Sequence, residues 1–132
     1  MPTFVNLPVD ADDGFPQAFL LSMNANTYRF EFHVNIAEEQ LRAAQPIGAR
    51  TLVDVVGDGS APASALSGIL VMAVTRQDAT GDVALLRRRV LPGLVYDAGE
   101  LLMTFATVQI AAGNLNAAGS FGSLLTAAVA TP

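Results

Sequence analysis

A chain of 132 residues is long enough for one domain with its own core, and its lack of cysteine excludes disulfide and thiolate chemistry. A net charge of −5 argues against a general nucleic-acid surface, which needs a basic footprint. With 52% apolar and only 14% charged residues, little polarity is left to cover the exterior; part of it is expected to lie in an assembly, because interface cores are poor in charge.

Phe4-Val5-Asn6-Leu7 reads as a short first strand ended by Pro8. The N-terminus, Met1 to Pro8 followed by Asp10, Asp12 and Asp13, lacks a basic stretch and a long apolar run, so no secretory signal is expected. Val9 to Pro16 is a loop, because Asp, Gly and Pro dominate turns. Its Asp10, Asp12, Asp13 and Gly14 invite a calcium reading. An EF-hand loop wants Gly in the sixth place and Glu in the twelfth; counted from Asp10, Gly14 is fifth and Leu21 twelfth, so a solvated acidic loop is the simpler reading. Gln17 to Ser22 is strand-like, and Met23 to Asn26 is a turn, since Asn tolerates positive φ. Thr27 to Val34 then alternates cleanly. Tyr28, Phe30, Phe32 and Val34 fall on a buried face, and Thr27, Arg29, Glu31 and His33 on a wet one. His33 is the single histidine; catalysis or zinc binding needs partners that no spacing here supplies.

Ala37 to Ala44 can form two helical turns ended by Pro46 and Gly48, with a loop as the competing reading. Arg50 to Val56 is a strand closed by Gly57 to Pro62, and Gly57-Asp58-Gly59 has no following Lys or helix start to make a phosphate cradle. Leu66 to Gln77 is another strand, with a bulge expected at Gly68. A turn over Asp78 to Gly81 leads into Asp82 to Leu91, which stops at Pro92-Gly93. Leu101 to Ile110 follows, and its pattern slips between Phe105 and Val108, which predicts a bulge or a bend. Residues 111–132, rich in Gly, Ala and Asn, read as an adaptable arm closing on a last strand at Leu124 to Val129. The longest apolar runs are interrupted and fall short of the roughly 20 residues that cross a bilayer, so no membrane insertion is expected.

Short strands separated by Gly, Pro and Asp turns predict an all-β domain over 1–132, a small antiparallel β-barrel or sandwich with at most one short helix and an extended C-terminal arm. The most distinctive segment is Asp82 to Gly93, which sets Arg87, Arg88 and Arg89 between Leu85-Leu86 and Val90-Leu91. Alternation puts Arg87 and Arg89 on one side and Arg88 on the other. The planar guanidinium suits interface pairing with carboxylates and carbonyls, so these arginines are the candidate subunit-interface residues. Catalytic, cofactor-binding and metal-binding residues are not nominated, and no enzyme activity is expected.

The order of motifs resembles that of small tail and baseplate proteins of tailed bacteriophages, in particular the baseplate plug-like family. The residues that carry it are Phe4-Val5-Asn6-Leu7-Pro8, the aromatic strand Tyr28 to Asn35, the step Asp82-Val83-Ala84-Leu85-Leu86, and the tail from Phe121-Gly122 to Pro132. Asn24 and Asn26 at the first turn, where Gly is common, and the absence of Trp depart from that pattern. The resemblance implies a non-enzymatic virion subunit of the tail or baseplate, assembled in the host cytoplasm into a symmetric multi-subunit structure with other phage tail proteins. A capsid decoration or head–tail joining protein is the alternative. A ligand-binding β-barrel is a second alternative, and would need an apolar cavity of several hundred cubic ångströms, roughly the usual pocket range.

Overall fold

The period-two alternation of the aromatic strand sets the centre of the structure. A computed structural model of the chain describes residues 3–39, 48–59 and 61–132. Its strands are β1 (Val5–Asn6), β2 (Gln17–Met23), β3 (Asn26–Ile36), β4 (Leu52–Asp54), β5 (Leu66–Asp78), β6 (Gly81–Arg89), β7 (Val95–Asp97), β8 (Leu102–Ala111) and β9 (Leu124–Ala130). They form one sheet in the order β1-β9-β8-β4-β5-β3-β2, with β6 added to β5 and β7 to β8. The sheet curls into a half-barrel, so the fold is all-β as expected. One half consists of β2, β3, β5 and β6, the other of β1, β9, β8 and β7. β4 runs parallel to the start of β5 and antiparallel to the end of β8, and so bridges the two.

The space between the halves is filled. Tyr28, Phe30 and Phe32 of β3 lie against Leu70, Met72 and Val74 of β5, and the second half contributes Met103, Phe105 and Val129; all are at most 1% exposed. Phe32 meets Phe105 edge-on, with ring centroids 6.1 Å apart. Each such side chain contributes up to about 1.5–3 kcal/mol by leaving water. Val34 is half-buried at the margin of the same cluster.

The β2–β3 hairpin turns at Asn24 and Ala25, with φ of 51° and 64°. Both central residues in the left-handed region make a two-residue turn whose twist matches the strands. Asn24 takes positive φ as its side chain allows; Ala25, and not Asn26, is its partner, at a steric cost on the order of 1 kcal/mol.

Of the two expected bulges, one is where the sequence placed it. In β8, Phe105 pairs Ala127 and Thr107 pairs Thr126, which leaves Ala106 as the extra residue. Gly68 is not bulged: β5 stays in register with β3 from Gln77 to Gly68. A Cβ at Gly68 would come within 3.0 Å of Val53 Cγ1, so glycine serves there to let β4 approach. The other bulge lies in β6, where Leu86 pairs Val74 and Ala84 pairs Thr75, leaving Leu85 over.

The strand expected over Arg50 to Val56 is confined to β4, and β7 was not expected. The last strand is present, but residues 111–132 are folded into the body. β9 lies between β8 and β1 with Leu125, Ala127 and Val129 buried. Ahead of it, buried Ser123 accepts from the Ala111 N–H at 2.7 Å and donates to Asn114 Oδ1 at 2.6 Å. Asn114 Nδ2 in turn donates to the Gly119 carbonyl at 2.9 Å. The helical turns expected from Ala37 to Ala44 lie largely outside the described residues.

Candidate functional site

The arginine strand owes its geometry to the Leu85 bulge. Without an extra residue, consecutive Leu85 and Leu86 would face opposite sides; with it, both pack against the core. Beyond the bulge, alternation resumes. Arg88 pairs Met72 and shares the core side, while Arg87 pairs Ala73 and Arg89 pairs Val71 on the outer side. The expected division of the arginines holds, but their surroundings differ.

Arg89 is turned to its own chain: Nη2 donates to the carbonyls of Val55 and Val56 at 3.2 and 2.9 Å. It thereby holds the loop after β4, where Asp54 Oδ1 also accepts from the Gly57 N–H at 2.8 Å. Arg88 lies over the ring of Tyr96, 6.0 Å from its centroid, a cation–π contact at the rim of the core. The Tyr96 hydroxyl donates to the Arg89 carbonyl and accepts from the Leu91 N–H, both at 2.7 Å, and so ties the end of β6 to β7. Arg87 has no hydrogen-bond or ion-pair partner among the described residues. It lines an open groove of about 500 Å³ on the outer side of the first half, with Arg29, Glu31, His33 and Ala18. Arg29 and Glu31, two apart on β3, pair at 2.8 Å with both side chains nearly half exposed, so that pair adds little to stability. His33 stands on this outer side, as the alternation of β3 predicts.

The outer side of the second half has a different chemistry. Val95, Thr104 and Ala128 lie in one row across β7, β8 and β9; Thr107 pairs Thr126, and Gln109 pairs Leu124. Val95 and Leu124 are 60% and 54% exposed. Asp97, at the end of β7, is the charged outward position of these strands.

A third group escaped the sequence reading. Along one end of the first half, Tyr28 pairs Arg76, and Arg76 bonds Asp78 at 2.8 Å and also Glu100. The Tyr28 hydroxyl donates to Glu100 Oε1 at 3.0 Å. The Arg76 guanidinium, donating to Asp78, holds that carboxyl below the ordinary carboxylate range, and Arg76 is itself shifted upward by the same bond. The signal was available, because residues two apart on a strand share a face. This group closes the end of the core around a buried tyrosine and has no free nucleophile or open position.

In the acidic loop, Ala11–Asp13 forms a 3-10 turn and Asp10 Oδ1 accepts from the Asp12 N–H at 3.0 Å. Gly14 has φ of 83°, and a Cβ there would fall 2.2 Å from the Ala117 carbonyl oxygen, so it must be glycine. Among the described residues no group of three or more His, Cys, Asp or Glu is arranged to hold a metal ion. Comparison of the chain with protein-family models, with curated proteins and with solved structures finds no match.

Proposed function

We propose that this chain is a non-enzymatic structural subunit that works through protein–protein contacts, and that its place is the tail or baseplate of a tailed phage. The observation that carries the reading is the outer side of β7, β8 and β9. Thr104, Thr107, Thr126, Ala128, Val95 and Leu124 form a nearly uncharged sheet surface, the composition that interface cores favour. The groove with Arg87 gives a second surface of different chemistry, suited to a carboxylate on a neighbour. A subunit that joins unlike neighbours needs more than one such surface. The phage setting rests on the motif order of the sequence. Tail is favoured over head on that ground alone, and a ligand-binding barrel is disfavoured because aromatic and methionine side chains fill the interior.

Quantitative mass spectrometry of purified virions tests the reading. The chain is expected in tail fractions, in a copy number that is a small multiple of three or six. Hundreds of copies in the head fraction would move it to capsid decoration, and absence from particles would overturn a virion role.

A further inference from the structure

The half made of β2, β3, β5 and β6 ends in two edge strands, and they are finished differently. β6 carries the devices that discourage edge-to-edge pairing: the Leu85 bulge breaks its line, and Asp82, Arg87, Arg88 and Arg89 spread charge along it. β2 carries none of these. From Gln17 to Met23 it runs seven residues in unbroken register with β3, with no charge and no proline.

Burial on β2 is also incomplete where its neighbour's is complete. Phe19 and Leu21 pair Phe30 and Tyr28, which are 0% and 1% exposed, yet Phe19 and Leu21 remain only partly buried. On the outer side Leu20 is 58% exposed. The two-residue turn at Asn24 and Ala25 makes Met23 and Asn26 a hydrogen-bonded pair. By alternation, Ala18, Leu20 and Ser22 then turn their N–H and C=O groups to the open side.

We propose that β2 is a self-association edge, which pairs antiparallel with β2 of a second copy of this chain about a two-fold axis at Leu20. The strand is self-complementary in that register. Leu20 stands opposite Leu20 of the second copy, Phe19 opposite Leu21, and Ala18 opposite Ser22. The Leu20 pair and both Ala18–Ser22 pairs exchange N–H···O bonds, so the outward backbone groups of the strand are satisfied together. The added strand covers the open flanks of Phe19 and Leu21, which nothing within the described chain does. Charge does not oppose the pairing. Arg29, beside Leu20 on β3, would lie three strand spacings from Arg29 of the second copy, about 14 Å at ~4.8 Å per strand. That exceeds a Debye length of about 8 Å at physiological salt, and Glu31 neutralises each Arg29 at 2.8 Å. A strand from an unrelated protein would meet the backbone groups equally well but not the matched Leu20, Phe19 and Leu21. The inference stands apart from the virion assignment and holds or fails without it.

Sedimentation of the purified chain across a concentration series, with amide hydrogen exchange on the same samples, tests the pairing. The expected result is a monomer–dimer equilibrium in which the amides of Ala18, Leu20 and Ser22 gain protection as the dimer forms. Leu20→Lys places a charge opposite its own copy and is expected to weaken the dimer about tenfold or more, ~1.4 kcal/mol, with thermal unfolding retained. A chain that stays monomeric at every concentration overturns the proposal. So does a dimer, or a complex with another protein, that forms while those three amides continue to exchange freely. Because exchange is read on the unaltered chain, the test stands even if Leu20→Lys misfolds.

Discussion

The two edges of the first half invert what their sequences advertise. β6, with Arg87, Arg88 and Arg89 in a row, looks like the contact surface, yet Arg89 clasps the Val55 and Val56 carbonyls and Arg88 covers Tyr96. β2 looks like an ordinary amphipathic strand, yet among the described residues no strand pairs its outer edge, and Phe19 and Leu21 stay only partly buried. Cations on an edge strand can serve to close it. A strand free of charge, proline and bulge is the one left available for pairing.

The largest expected effect falls on the core beneath the β2 edge. Phe32 packs against Phe19 of β2, with centroids 6.2 Å apart, and against Phe105 of the other half. Phe32→Ala is expected to cost about 3–5 kcal/mol, read from urea unfolding midpoints, by leaving a cavity beneath both. A loss under about 1 kcal/mol would mean that the halves collapse onto the gap, contrary to the close-packed core described above. Next comes the contrast within β6 itself. Arg89→Ala should lose about 1–2 kcal/mol of stability by freeing the loop after β4, while Arg87→Ala should stay within about 0.5 kcal/mol. Incorporation into particles should respond in the opposite order, with Arg87→Ala the more damaging. Equal stability losses for the two would break the distinction between a clasp and a contact residue.

The smallest effect concerns the polar end that spans both edges, where Leu21, Tyr28, Arg76 and Val83 lie in one row. Asp78 is held below the ordinary carboxylate range by Arg76, so its ionised form stabilises the fold. That contribution is present above the ordinary range near pH 4 and is lost as pH falls through the lower folded-state value. Asp78→Asn should therefore lower stability slightly at about pH 7, in keeping with a partly exposed pair, and by less at about pH 2. An identical wild-type and Asp78→Asn difference at both pH values would show that the carboxylate's charge is not what matters.

Local periodicity carried much of the fold. Tyr28, Phe30 and Phe32 are buried where alternation puts them, and the slip between Phe105 and Val108 marks the Ala106 bulge. What escaped depends on contacts between distant segments. Gly68 reads as a bulge in isolation, and only the approach of Val53 explains it. The Gly- and Ala-rich stretch after Ala111 reads as an arm because its anchors, Asn114 and Ser123, bond each other and backbone that local pattern does not reveal. Of the candidate site, the facing of the arginines was legible from period two, but their partners were not. A guanidinium reaches several ångströms from its strand, and the carbonyls that Arg89 meets lie on a loop far away in the sequence.

β4 gives the molecule a mechanical character. Val53 and Asp54 pair with Leu66 and Ser67 on one side, and Leu52 and Val53 pair with Ala111 and Ile110 on the other. Among the described strands this is the seam through which the backbone ladder passes from half to half. A pull that separates the halves is borne by this three-residue strand, by the backbone bonds of Phe15 to Asn114 and Asn116 ahead of β2, and by side chains such as Phe32 on Phe105, which slide more easily than a ladder shears. A pull directed along β3 and β5 meets their long register instead. The domain is thus stiff in one direction and compliant in the other, and the orientation in which neighbours grip it decides which of the two they feel.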